Sequence, residues 1–202
     1  LPQAQFFSVV EVIPESYVAR LGLLKIFGRD APLHVDLGCG DGSFLCAMAT
    51  RMPQRNFLGV ERMLGRVHSA SRKAAKIDNV RVLRLESSYA VRYLLPAGSV
   101  EAFYLLFPDP WPKRRHQCRR VMTRDFLTAI GTALVHDGVF RFATDQIDYF
   151  EQVRGLAQQS TVFATTNLDG SERFPSSTFE KKFKTDGAQI YRLELRKTSP
   201  VT

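Results

Sequence analysis

No stretch of this chain approaches the 18 or so consecutive apolar residues that a membrane-crossing helix requires. Residues 1–30 also lack the basic-then-apolar layout of an export signal, so a cytoplasmic protein with no membrane role is expected. Cysteine is scarce: Cys39, Cys46 and Cys118 are the three present. They form no CxxC pair and have no His or Cys neighbour at metal-ligand spacing. That excludes a disulfide-stapled scaffold and a zinc module, and no metal is expected. Internal repeats and low-complexity segments are missing as well, which excludes solenoids and collagen-like chains.

What remains is a chain of 202 residues, 45% hydrophobic, long enough to bury one full core. Its net charge of +8 implies a polyanionic partner, because a basic surface concentrates phosphate-bearing ligands around itself. Nucleic acid comes first on that ground, an acidic membrane second.

From Leu33 onward, β-rich runs alternate with segments of helical period: LHVDL, SFLCAMATRM, NFLGVE, RVHSASRKAAK, VRVLRLE, SYAVRYLL, VEAFYLLF, DFLTAIGTALV, VFRFATD and DYFEQVRGLAQQ. Such alternation means βαβ units, a mostly parallel sheet and helices on both faces. Pro53, Asp78-Asn79, Pro96-Ala97-Gly98 and Asp137-Gly138 punctuate the helix ends. TVFATTN and AQIYRLELRK follow with no crossover helix between them, so they form an antiparallel hairpin at the sheet edge. The expectation is an α/β, Rossmann-like fold with a seven-stranded sheet. Residues 1–30 form an arm with a short helix around Ser16 to Ile26, and residues 31–202 form one domain carrying a loop at 108–122 and an insert at 167–187.

In an open parallel sheet, ligands bind at the carboxyl ends of the strands where strand order reverses. The turn after the first of these strands reads DLGCGDG, Asp36 to Gly42, and Gly38, Gly40 and Gly42 allow close approach of backbone to a ligand. A dinucleotide turn wants GxGxxG, whereas Ser43 stands at the third glycine's place and two carboxylates, Asp36 and Asp41, flank the loop. Carboxylates repel a pyrophosphate. They suit S-adenosylmethionine, which carries a sulfonium and an ammonium and no phosphate. Glu61, about twenty residues on, ends the next strand where an acid accepts both ribose hydroxyls. Glu86 ends the third at the same rim, either within reach of an adenine edge or as a helix N-cap.

The fourth strand runs into FPDPWPKRRHQCRR, Phe107 to Arg120. One acid, Asp109, stands between two prolines, and five cations follow the lone tryptophan, Trp111. Proline fixes φ and removes a backbone donor, so this is a stiff loop and not a helix. Trp111 either stacks on a base or packs structurally.

Together with GVFRFATD and SSTFEKKF downstream, this PDPW-x-K-x-RH-x-x-RR block closely resembles the bacterial tRNA (guanine-N7-)-methyltransferase family, a class I S-adenosylmethionine-dependent group, from about Leu33 to Lys197. The resemblance implies methyl transfer to guanine N7 at position 46 in the variable loop of tRNA. It implies cofactor contacts from Asp36, Glu61, Glu86 and Asp109, beside Gly38 and Gly40. It further implies an active-site role for Asp109, RNA contacts along Arg115 to Arg120, and substrate contacts from Lys113, Asp145, Ser177, Thr178, Phe179 and Glu180. Cys118 and Ser177 depart from the common lysine and threonine. No obligate protein partner is expected, and the assembly is a monomer or homodimer.

The chemistry suits these residues. Guanine N7 carries an in-plane lone pair and no proton, so attack on the sulfonium methyl needs positioning and no general base. Positive charge moves onto the purine, where Asp109 would stabilise it. Asp145 and Glu180 are the acceptors for the N1 and N2 donors of guanine. Arg114, Arg115, His116, Arg119 and Arg120 hold phosphates, with Lys181, Lys182 and Lys184 extending the track; Phe174 and Phe179 pack the insert. Rival readings are a nicotinamide-dependent oxidoreductase, a methyltransferase acting on an exocyclic amine, and a basic RNA-binding module without catalysis.

Overall fold

The computed structural model describes residues 10–166, 175, 180, 183 and 185–198. Among them, eight strands form one sheet: β1 (Glu11–Val12), β2 (Leu33–Leu37), β3 (Asn56–Glu61), β4 (Val80–Arg84), β5 (Val100–Leu106), β6 (Leu134–Thr144), β7 (Phe163–Thr166) and β8 (Tyr191–Lys197). Their order in space is β1-β4-β3-β2-β5-β6-β8-β7. Pairings among β1 to β6 are parallel, while β8 runs antiparallel to both β6 and β7. The chain leaves β2 toward β3 and β4 on one side and later returns to fill β5 and β6 on the other. That reversal opens a crevice above the carboxyl ends of β2 and β5.

β2 and β3 are buried at every position, as a central parallel strand covered on both faces must be. On one face α2 (Ser43–Arg51) and α3 (Leu64–Ala74) pack Phe44, Leu45, Met48, Val67 and Ala70 against Phe57 and Tyr104. On the other lie α1 (Leu23–Phe27), α4 (Ser87–Tyr89) with a π turn over Ala90–Leu94, α5 (Arg124–Ala133) and α6 (Ile147–Gln158), around Phe103, Phe126, Phe140, Phe142 and Tyr149. Fully burying side chains of this size contributes about 1.5–3 kcal/mol each before chain entropy is subtracted. Thr123 caps α5 by accepting from the Phe126 N–H at 3.1 Å, a bond worth about 1 kcal/mol.

The expected hairpin and βαβ succession are present, and three details differ from the sequence reading. The arm adds an eighth strand: Val10 O accepts from Val82 N at 2.8 Å and β1 continues alongside β4. The arm's helix is five residues, Leu23–Phe27, stopped by Gly28 at φ 69°. Arg20 ties the arm down by donating to the carbonyls of Arg92 and Leu95, each at 2.8 Å. The Asp137-Gly138 turn lies inside β6. There the register against β5 jumps from Val100–Leu134 to Ala102–Val139, and Asp137 takes up the extra chain at φ 60°. Most of the 167–187 insert, including Phe174, lies outside the described residues.

Candidate active site

The glycine turn is built onto the end of β3. Val60 O accepts from both Gly38 N (2.8 Å) and Cys39 N (3.1 Å), and Glu61 Oε2 accepts from Gly40 N at 3.1 Å. Glu61 Oε1 takes the Met63 N–H at 2.8 Å, so this one carboxylate holds the loop on one side and the start of the α3 segment on the other. Glu61 is therefore buried, and it is more than a rim acid: its loss would orphan two backbone donors. Gly42 has φ 75°, and a Cβ there would stand 2.8 Å from that of Ala70, so glycine is what lets α2 approach α3. Above Gly38 and Gly40 the opposite holds. Nothing lies within 4 Å of a Cβ built on either, which leaves space for a ligand against the backbone.

Asp36 lies under this loop on β2, 4% exposed. Burial first, and then the neighbouring Glu61, pushes its carboxyl up to about 7. A carboxylate so placed calls for a cation. Asp41 has one already: it pairs with Lys73 and also receives Ser43 N (3.1 Å) and Ser43 Oγ (3.0 Å), securing the start of α2. Glu86 is exposed and caps α4, accepting from Ser88 N at 2.9 Å and Tyr89 N at 2.8 Å. The N-cap reading of Glu86 thus holds, at the end of β4 where the cofactor reading also placed it.

Beyond β5, the PDPW loop is held between two bulky residues in the left-handed region, Phe107 (φ 54°) and Trp111 (φ 42°). Each such conformation costs on the order of 1–3 kcal/mol and persists only where surrounding contacts impose it. Those contacts are visible. Phe107 N donates to Ala143 O at 2.8 Å, and the Phe107 ring packs on Phe183 at 5.3 Å. Pro110 O accepts from Arg120 Nε at 2.7 Å. Asp109 projects from this frame with its side chain 73% exposed, Arg62 NH2 lying 3.8 Å away.

The basic run divides. Lys113, Arg114, Arg115 and Arg119 are exposed on a 3-10 turn (Arg114–Arg119) and at its start, as a phosphate grip requires. Arg119 lies over the Trp111 ring at 5.0 Å and His116 meets its edge at 6.0 Å, so Trp111 has a packing role in this loop. Arg120 corrects the expectation of a phosphate contact. Its side chain is 2% exposed, bonded to Pro110 O, Gln152 Oε1 (2.8 Å) and Asp148, and stacked over Tyr149 at 4.6 Å. A guanidinium saturated in this way holds the loop to α6 and has no face to offer RNA.

Asp145, half-buried just after β6, accepts from Gln146 Nε2 at 2.7 Å. Glu180 is ion-paired to Arg192 of β8 at 2.6 Å. Ser177, Thr178, Phe179, Lys181, Lys182 and Lys184 lie outside the described residues. The sequence reading missed Arg62, whose only signal is a cation directly after a strand-end acid. It also missed Asp148 and Gln152, which resemble any surface residues of an amphipathic helix.

The fold is that of the Rossmann-like methyltransferases. The chain superposes on a solved structure described as an antibiotic related methyltransferase with a TM-score of 0.61 and 17% identity, covering 94% of this chain and 98% of that one. It also superposes on geranyl diphosphate C-methyltransferase from Streptomyces coelicolor A3(2), solved in complex with S-adenosyl-L-homocysteine, with a TM-score of 0.55 and 14% identity over 87% of this chain and 74% of that one. In sequence, residues 30–193 match a family model described as putative methyltransferase. The tRNA (guanine-N(7)-)-methyltransferase of Leifsonia xyli is 38% identical over 184 residues, covering 87% of this chain and 81% of that protein. The chain belongs to the tRNA (guanine-N7-)-methyltransferase family. The Thermotoga maritima relative is 34% identical over 176 residues, 86% of this chain, and the chain spans only 56% of that protein's length.

Proposed function

We propose that this protein transfers a methyl group from S-adenosylmethionine to N7 of a guanosine in tRNA, at position 46 of the variable loop, forming 7-methylguanosine. The observation that carries the reading is Asp109: an exposed carboxylate, fixed between Pro108 and Pro110 at the end of β5, at the rim shared with the glycine turn. Asp36, Glu61 and the open backbone above Gly38 and Gly40 fit a cofactor that is cationic and has no phosphate. When bound, S-adenosylmethionine supplies a methyl group activated by its sulfonium. Among the described residues no helix is long and apolar enough to cross a membrane, and no group of acids, His and Cys could hold a metal ion.

Each residue then has a physical task. Asp36 balances the cofactor's positive charge from below, and Glu61, already holding Gly40, presents its remaining lone pairs toward the ribose. Asp109 faces the charge that develops on the purine, a fixed carboxylate that stabilises the transition state without taking a proton. Asp145 and Glu180 accept from the N1 and N2 edge of guanine, and Lys113, Arg115 and Arg119 hold flanking phosphates. The test is Asp109→Asn under single-turnover conditions. The reading expects methylation to slow by roughly 10² to 10³, about 3–4 kcal/mol of transition-state stabilisation, with tRNA affinity nearly unchanged. A parental rate would make Asp109 a turn residue.

A further inference from the structure

We propose that the outward face of α3 is a second RNA-binding surface, continuous with the site at Asp109 and distinct from the 114–119 turn. The inference rests on tRNA being the substrate. From Arg62 to Ile77 the chain carries Arg62, Arg66, Arg72, Lys73, Lys76 and His68, and no acid. Five of the cations, Arg62, Arg66, Arg72, Lys73 and Lys76, are exposed along the helix and its two flanks, with exposed Gly65 and His68 among them. The two long helices on the opposite face of the sheet do not share this composition, since α5 carries Asp125 and α6 carries Asp148 and Glu151.

Helix stability explains part of the pattern and leaves the rest. Arg72 and Lys73 in the last turn favour the helix dipole, whereas Arg62 and Arg66 stand at the positive end, where acids are preferred and none is present. Lys73 is committed to Asp41. Among the described residues no carboxylate pairs with Arg72 or Lys76. The surface has a fixed position relative to the chemistry, because Arg62 lies 3.8 Å from Asp109 and Arg66 lies 3.9 Å from Glu61. The 11 residues of α3 alone extend about 16 Å at 1.5 Å per residue. RNA seated on the 114–119 turn with its guanine at Asp109 would meet α3 on the other side of that acid. Two basic surfaces flanking one exposed carboxylate fit a folded RNA, whose phosphates approach from both sides. A single flat anionic layer fits them less well.

The test is the double variant Arg72→Ala with Lys76→Ala, set against Arg124→Ala with Arg154→Ala, which removes the same charge from the opposite face. Binding of unmodified tRNA is measured across a salt series, together with S-adenosylmethionine affinity by calorimetry. The α3 variant is expected to bind tRNA about five- to thirtyfold more weakly, with the slope of log K against log salt flattened by about 0.7–0.9 for each phosphate that is no longer neutralised. The control should change far less, and cofactor affinity should hold in both. Equal tRNA affinity and slope in the α3 variant overturns the proposal. So does parental tRNA binding accompanied by weaker sedimentation with phosphatidylserine vesicles, assayed in parallel, which would make the face a membrane contact. Parent protein that binds tRNA through α3 but forms no 7-methylguanosine would instead refute the proposed reaction and leave this surface standing.

Discussion

The two halves of the cleft are built on opposite principles. Around β2 and β3 the candidate cofactor acids are enclosed: Glu61 is buried with two backbone donors, and Asp36 is 4% exposed. Around β5 to α5 they are displayed. Asp109 is 73% exposed, and four exposed cations follow it, on a loop whose rigidity comes from prolines, two left-handed residues and one buried arginine. The difference matches what each half handles. Under the proposed reaction, a small cationic cofactor would be held by preorganised acids in low dielectric, whereas a large polyanion would be gripped at the surface, with a fixed partner needed only at its reactive base.

The largest effect on stability is expected where the displayed half depends on a buried group. Arg120→Ala removes bonds to Pro110, Gln152 and Asp148 at once, and should cost about 2–4 kcal/mol of stability, read as a lower midpoint in urea. Its salt slope for tRNA should stay parental, because the side chain does not reach solvent. A stable variant with a flattened slope would return Arg120 to the phosphate track.

In the enclosed half, Glu61→Ala should weaken S-adenosylmethionine binding by about 1–3 kcal/mol and loosen the glycine loop, seen as faster hydrogen exchange at Gly40 and Met63. Glu61→Gln should keep much of the loop's order, since one oxygen still accepts. Unchanged cofactor affinity in the alanine variant would take Glu61 out of the site.

Asp36 offers a pH test. Its folded carboxyl titrates near 7 against about 3.8 unfolded, so the folded state binds the extra proton between these values. Its contribution to stability is full below the unfolded value and is lost as pH rises toward 7. Cofactor binding runs the other way, because a cation needs the carboxylate ionised. Affinity should fall as pH drops below about 7, by up to roughly tenfold per pH unit, and the dependence should vanish in Asp36→Asn. A flat profile in the parent would show that the cofactor's charge is met elsewhere.

The smallest effect belongs to the displayed cations one at a time. Arg115→Ala should weaken tRNA binding by well under a factor of ten at moderate salt, and flatten the slope by about 0.7–0.9, with the folding midpoint unmoved.

The enclosed half was the more legible in sequence, because burial imposes pattern. Apolar runs at strand period, a glycine-rich turn and an acid twenty residues on are each required by geometry, and Asp36, Gly38, Gly40 and Glu61 converge as the spacing implied. The displayed half is marked by composition, and composition does not say which way a side chain turns. Arg119 and Arg120 are adjacent and alike; one lies over Trp111 at the surface, and the other turns inward where the chain enters the buried Met122 and the cap of α5. Glu86 was open between two roles for the same reason: an acid before Ser-Ser at a strand end satisfies a cap and a rim equally. β1 left no pattern, since two residues at a sheet edge are too short to show alternation. The strand running through Asp137 was hidden by turn residues that serve an irregularity in β6.

The identity of the reacting atom is read from the methylated product itself. tRNA incubated with the protein and S-adenosylmethionine labelled in its methyl group is digested to nucleosides and separated by mass spectrometry. The label is expected in 7-methylguanosine, mapped to the variable loop by cleavage at the modified base. Label on an exocyclic amine, or no labelled nucleoside from protein that binds both tRNA and cofactor, would contradict it.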